Sequence, residues 1–399
     1  NTVDVHWTLV EKGSSQVQLQ AGYGGNSFIG TLGLTFNNFS LRNFLKLKDF
    51  KPVPQGDGQM LSVQAQAGQY FKNYSLSFTE PWLFGNRPTA LSVSLNQSMV
   101  NYKDYTGASQ KLNIFSASAG LNRLLNWPDN YFSLYTGISF QSYNFKNYPF
   151  QFGSTTVSNG NANNFSFNVG LSRNSAGYDP IFPTTGSNIE ATIKFTPPYS
   201  LFQNKDYSKM TPQEKYRWME FYKVKLKADA YNEVVGKLVL RSTAEMGFLN
   251  GYNSELGAPP FERFYVGGTG LFGGRFDGRE LIPLRGYENA STEGGSATDI
   301  TPIGGGTIYS RYAAELRYPI SMNQTAKIFA LTFAEAGNTR NNYSSFNPFQ
   351  LKRSVGVGIR VYMGAFGLIG FDFAYGFDKT IGGSEPSGWQ THFLMNQSL

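Results

Sequence analysis

Few residues in this chain could carry covalent or redox chemistry. The 399-residue sequence has no cysteine and two histidines, His6 and His392. Thiol nucleophiles, thiolate metal sites and iron–sulfur clusters need a side chain that is missing. Two histidines are too few for a histidine-rich zinc or haem site. A serine nucleophile would need a His base and a third group to orient it. His392, alternating with Gln390 and Leu394, has no evident Ser or Asn arrangement around it and reads as a solvated residue. No Gly-x4-Gly-Lys-[Ser/Thr] phosphate loop occurs. These residues predict a non-enzymatic protein with no cofactor and no metal. What remains is charge chemistry. Leu284-Arg285-Gly286-Tyr287 sits in a glycine-rich stretch, 251–306, that also holds Phe264-Tyr265-Val266-Gly267-Gly268. If such a loop carries Arg285 away from water, the guanidinium needs carboxylate partners in fork geometry.

The elements that must position this loop are strands. Val17, Leu19, Ala21 and Tyr23 alternate with Gln16, Gln18, Gln20 and Gly22. Tyr222, Val224, Leu226 and Ala228 alternate with Lys223, Lys225, Lys227 and Asp229, and the same pattern returns over 188–195 and 354–363. A period of two with one apolar and one polar face specifies β-strands. A soluble sandwich or propeller would bury the apolar face in a dry core. A membrane barrel turns it to lipid and lines a wet lumen with the polar face. Runs such as 88–104, 128–146 and 215–233 exceed the usual soluble strand and favour the barrel. Aromatics near strand ends, Tyr70, Phe71, Trp82, Phe84, Trp127, Tyr131, Phe132, Tyr375, Phe377 and Trp389, suit interfacial girdles. Mean hydropathy is −0.32 because half of each strand is polar. The scattered basic residues behind the net charge of +7 fit a solvated or pore-lining role better than a nucleic-acid face.

The spans expected are 15–25, 27–37, 58–71, 73–81, 88–104, 107–125, 128–146, 162–175, 186–197, 215–233, 234–250, 307–320, 325–337, 351–363, 365–379 and 387–398. This predicts an all-β, sixteen-stranded antiparallel transmembrane barrel, an even number as single-chain bacterial barrels show. The long gaps at 148–161, 199–214, 251–306 and 338–350 fall at one end. Residues 38–57 are expected to hold a short amphipathic helix. Residues 1–12 read as one strand of a unit that precedes the barrel, which occupies 13–399. The 56-residue connection 251–306, between strands 11 and 12, is far too long for a hairpin turn. By phase, Glu315 shares a face with Arg311 and Arg317, and Asp372 with Gly370, Ala374 and Gly376, so both point inward.

The loop motif Leu284 to Tyr287, the Phe264–Gly268 segment before it, the strand motif Gly370-Phe371-Asp372-Phe373-Ala374-Tyr375 and the strand count together resemble the outer-membrane insertases and translocases that bear periplasmic POTRA domains. The resemblance covers residues 13–399. It implies that the long loop folds into the lumen and that Arg285 meets acidic residues on neighbouring strands, with Glu315 and Glu335 first and Asp372 third. It makes residues 1–12 the end of a POTRA-like domain. It implies a Gram-negative-type outer membrane and a lateral gate between the first and last strands, here Gln16, Gln18, Gln20 and Gly22 against Trp389, Thr391, Phe393 and Met395. The expected function is insertion of β-barrel proteins through that weak seam. The alternative is a two-partner-type secretion transporter or another outer-membrane pore. The implied partners are unfolded outer-membrane clients, periplasmic chaperones, accessory lipoproteins and lipid or lipopolysaccharide, with no nucleic acid.

Overall fold

The computed structural model describes residues 15–24, 27–46, 53–85, 88–103, 107–152, 155–203, 205–269, 278–291, 295–323, 325–364 and 367–396. The strand expected within 1–12 lies outside them.

One sheet contains sixteen strands in strict nearest-neighbour order, its ladders all antiparallel among the described residues. They are β1 Gln16–Gly24, β2 Ser27–Phe39, β3 Gln59–Gly68, β4 Phe71–Glu80, β5 Thr89–Lys103, β6 Ser109–Leu124, β7 Phe132–Lys146, β8 Gly160–Asn174, β9 Gly186–Phe195, β10 Tyr222–Val235, β11 Leu238–Asn250, β12 Ile308–Met322, β13 Ala326–Arg340, β14 Lys352–Met363, β15 Gly367–Lys379 and β16 Pro386–Asn396. Every expected span has its strand. From β7 onward the longer connections, 147–159, 196–221, 251–307 and 341–351, fall at one end against turns such as Gly236-Lys237 at the other. This places them at the extracellular end, with the connection 40–58 an exception at the opposite end.

Alternation sets the two faces. On β10, Leu226 is exposed on the outer face while Lys223 and Asp229 are buried on the inner one. Val63, Leu95, Ile138, Ile193, Val357, Ile359 and Phe373 continue the exposed apolar outer surface. Facing water, that much apolar area would be costly; facing lipid, it is the required solvent match. Every strand but the first and last has its backbone groups taken up by two neighbours, the condition for crossing hydrocarbon. Trp82, Phe84, Trp127, Tyr131, Phe377 and Trp389 are exposed near strand ends, as girdle residues are.

Local structure departs from expectation in four places. Phe71 is buried inside rather than lying in a girdle. β10 begins at Tyr222, because Thr211 and Glu214 close a capping box that makes Pro212–Lys215 one helical turn. The helix expected in 38–57 is a turn over 41–46, with 47–52 outside the described residues. An unexpected hairpin, Phe150–Phe152 with Thr155–Val157, rises from the connection after β7.

The largest departure is the lumen, expected to be wet. Its extracellular half is a packed apolar core. Phe71, Val100, Leu112, Ile114, Tyr143 and Phe145 on β4–β7 meet Phe261, Phe264, Val266, Ile282, Leu284 and Tyr287 of the long loop. Phe261 lies 4.5 Å from both the Tyr143 and Phe150 rings. The sheet is therefore curled around the loop, which touches β7 on one side and β12–β16 on the other. At the opposite end, the connection from β8 to β9 sends Ile181 and Phe182 inward. They pack with Val239, Phe329, Leu331 and Phe333, and the Phe182 and Phe329 rings meet edge-on at 5.2 Å.

Candidate functional site

The site is assembled around the tip of the luminal loop. Two backbone segments build that tip. Phe264–Val266 pairs in parallel with Glu280–Ile282, and the pairing continues as Leu284 N donates to Gly268 O at 2.8 Å and Gly268 N to Tyr287 O at 3.1 Å. The two glycine-bearing motifs are thus one structure. Gly268 has φ +61°, and a β-carbon there would fall 1.9 Å from Asn289 Oδ1, so the position admits no side chain. The tip then presses on β14 and β15. A β-carbon on Gly286, whose φ is +85°, would meet Ser354 Cβ at 2.7 Å, and one on Gly376 would meet Gly286 O at 2.3 Å.

That close approach delivers Arg285. Its Nη2 lies 2.6 Å from Glu315 Oε1 on β12 and 2.7 Å from Glu335 Oε1 on β13, and its Nη1 lies 3.5 Å from Asp372 Oδ2 on β15. The Arg285 backbone N–H also donates to Glu335 Oε2 at 2.8 Å. The guanidinium sits 3.5 Å over the Phe333 ring centroid, a cation–π contact in a desolvated place. Glu315, Glu335 and Asp372 are all buried facing inward. The structure brings together the four charged residues singled out in the sequence.

It also adds members that sequence reasoning left out. Arg360 holds Asp372 in a fork, at 2.7 and 2.8 Å. Arg311 reaches Glu335 at 2.7 Å, Arg317 reaches Glu315 at 2.5 Å, and Arg241 lies 3.6 Å from Glu315. Arg241 pairs Asp229 at 2.8 Å, and Arg311 stands 3.7 Å from Glu245. Five guanidiniums (241, 285, 311, 317, 360) therefore face five carboxylates (229, 245, 315, 335, 372). Such a balance is what makes so many buried charges tolerable. The available signal was phase: Arg311 and Arg317 share the inward face of β12 with Glu315.

The opposite wall reverses the signs. The loop's own acids, Glu262 and Glu280, reach lysines of β9 and β10: Lys194 to Glu262 at 2.5 Å, Lys223 to Glu280 at 2.5 Å and Lys225 to Glu280 at 2.7 Å. Burial works against the Glu280 charge, but Lys223 and Lys225 hold its carboxyl down at about 2. The loop is fixed by its acids on one wall and its arginine on the other.

The loop also reaches the last strand. Gly286 N donates to His392 Nε2 at 2.9 Å, and Thr269 Oγ1 donates to Phe393 O at 3.4 Å. His392 is buried and partnered, which corrects the solvated reading. Its inward direction follows from the alternation, but the loop that covers it is remote in sequence.

The residues expected at the seam are divided. On β16, Trp389 stacks on Phe373 at 4.4 Å and Phe393 lies 4.9 Å from Phe371, so this strand is held to β15; Thr391 is exposed. On β1, Gln16 is exposed and Gln18 half-buried, while Val17 and Leu19 are 67% and 63% exposed. The side chains of Gln20 and Met395, and the surroundings of Gly22, lie outside the described residues. Among the described residues, no ladder joins β1 to β16, whereas every other pair of neighbours in the sheet is hydrogen-bonded.

Residues 55–398 match the Omp85 superfamily domain. The fold is similar to BamA of Haemophilus ducreyi lacking POTRA domains 1–3, with a TM-score of 0.66 and 17% identity over 96% of this chain and 70% of that one. It is also similar to CdiB of Escherichia coli, with a TM-score of 0.57 and 13% identity over 97% of this chain and 63% of that one. No curated protein sequence matches the chain.

Proposed function

Because its residues 55–398 carry the Omp85 superfamily domain, the chain belongs to that superfamily of Gram-negative outer-membrane β-barrels, and on this premise we propose that it is a non-enzymatic insertase for other β-barrel proteins. The observation that supports this reading is the seam. β1 makes its ladder with β2 alone among the described residues, and its Val17 and Leu19 stand exposed. An unpaired strand edge is a template for strand addition. In lipid each unsatisfied backbone group costs several kcal/mol, so a client strand enters cheaply only if it enters already paired. A seam that opens supplies that pairing without nucleotide or cofactor. The luminal loop, rigidly held by charge on two walls, gives the opening strand a fixed partner. Its clients would be unfolded outer-membrane proteins, delivered with chaperones and accessory lipoproteins through POTRA domains ahead of the barrel.

A two-partner-type secretion transporter is the second reading, favoured by the fold's likeness to CdiB. Fewer POTRA domains upstream and a plug helix would mark that branch.

The test uses the absence of native cysteine. Cysteines introduced at facing positions of 16–24 and 386–396 should form a disulfide that stops client assembly in proteoliposomes, with recovery on reduction. Undiminished assembly by the locked barrel would remove seam opening from the mechanism.

A further inference from the structure

We propose that the outer face of β12–β15, at its extracellular end, holds one phosphorylated acyl lipid of the outer leaflet, with the acyl chain in an alanine-floored groove and the phosphate on Arg353. The strand register builds the groove. Ala314 lies opposite Ala334, and Ala334 opposite Val355; Tyr312 lies opposite Ala336, and Ala336 opposite Arg353. These outward positions line an open recess of about 570 Å³, with Phe377 at its edge. Further along the same strands the outward residues are large: Leu316, Tyr318, Val357, Ile359 and Phe371. The recess is therefore a local break in a bulky lipid-facing surface, shaped for a chain to lie in it.

Charge selects the head group. Arg353 is 67% exposed, and Asp378 holds one edge of its guanidinium, with Oδ1 3.1 Å from Nη2 and Oδ2 3.3 Å from Nε. Lys352 takes the opposite, luminal phase with Ser354 and donates to Lys379 O at 2.6 Å. On the outward phase, Arg340 and Arg353 against Asp378 leave a local excess of one positive charge (two minus one). β14 begins at Lys352, directly after the long connection from β13, so the cluster stands at the extracellular boundary of the hydrocarbon. A guanidinium there extends to head-group level, and the Nη1 edge that Asp378 does not take can donate to a phosphate oxygen. A phosphorylated acyl lipid whose head lies at that level is the lipid A part of lipopolysaccharide. This inference rests on the outer-membrane placement of the barrel and not on the insertase reading.

The test is native mass spectrometry of the full chain, delipidated in mild detergent and then offered lipid A, dephosphorylated lipid A or phosphatidylglycerol. Wild type should retain one lipid A and neither of the others. Arg353→Gln should weaken retention about tenfold, the loss of one charge-assisted contact. Ala336→Trp, which fills the groove from the lipid side, should abolish it, while Ile193→Trp, on the outer face of β9, should leave it unchanged. Heat-modifiable migration identifies variants that fold. Equal retention by wild type, Arg353→Gln and Ala336→Trp would overturn the site. Equal retention of the dephosphorylated lipid or of phosphatidylglycerol would overturn the ligand assignment.

Discussion

The backbone N–H of Gly286, at the tip of the luminal loop, donates to His392 Nε2 on the last strand at 2.9 Å. A neutral imidazole that accepts at Nε2 carries its proton on Nδ1. The contact joins the loop motif directly to one side of the seam, so displacing the loop removes one restraint on β16, which β15 still holds through its ladder. His392→Leu should leave the Gly286 donor buried and unpaired, at about 1–3 kcal/mol. The expected result is faster hydrogen exchange in β16 and a lower unfolding temperature on heat-modifiability gels. Unchanged exchange would show that the loop does not restrain the seam.

Arg285→Ala should leave Glu315 and Glu335 with one cation fewer in a buried site, a loss of about 3–5 kcal/mol for breaking a buried pair. Arg285→Lys should recover little, because a single ammonium cannot span Glu315, Glu335 and Asp372 as the planar fork does. Limited proteolysis within 251–306 and client assembly both measure this. Wild-type behaviour of Arg285→Ala in both would show that the charge cluster does not hold the loop.

Gly376→Ala tests backbone contact instead of charge. The added methyl would fall 2.3 Å from Gly286 O, closer than any carbon–oxygen contact tolerates, so loop and strand must part. Proteolysis of the loop should rise as for Arg285→Ala while the ion pairs remain chemically possible. Equal protection of the variant and wild type would mean that the tip can shift without cost.

The anchor on the other wall should fail in acid. Glu280 is lowered from 4.5 to about 2 by Lys223 and Lys225. A depressed carboxyl contributes stability that is complete above the unfolded value and is lost as pH falls through the folded one. The loop should therefore become protease-sensitive between pH 4.5 and about 2. Glu280→Gln should weaken the anchor at neutral pH and flatten that dependence. The same acid profile in the variant would assign the effect to another carboxylate.

Strand number, the two faces and the long loop were legible in the sequence because each is local. Period-two alternation fixes which side of a strand a residue occupies, and phase alone turned Glu315 and Asp372 inward. The pairing of Arg285 with those acids was an inference from motif resemblance. Glu335, on a strand apolar on both faces, had no phase signal at all. What an inward side chain meets depends on residues far away in the chain. Leu112 and Ile114 face a packed core because Phe261 and Ile282 arrive from a remote loop. Glu262 and Glu280 became anchors only when folding set them against Lys194, Lys223 and Lys225, and His392 was buried by a glycine 106 residues earlier. Alternation gives direction; only the tertiary structure decides whether that direction leads to water, to carbon or to an opposite charge.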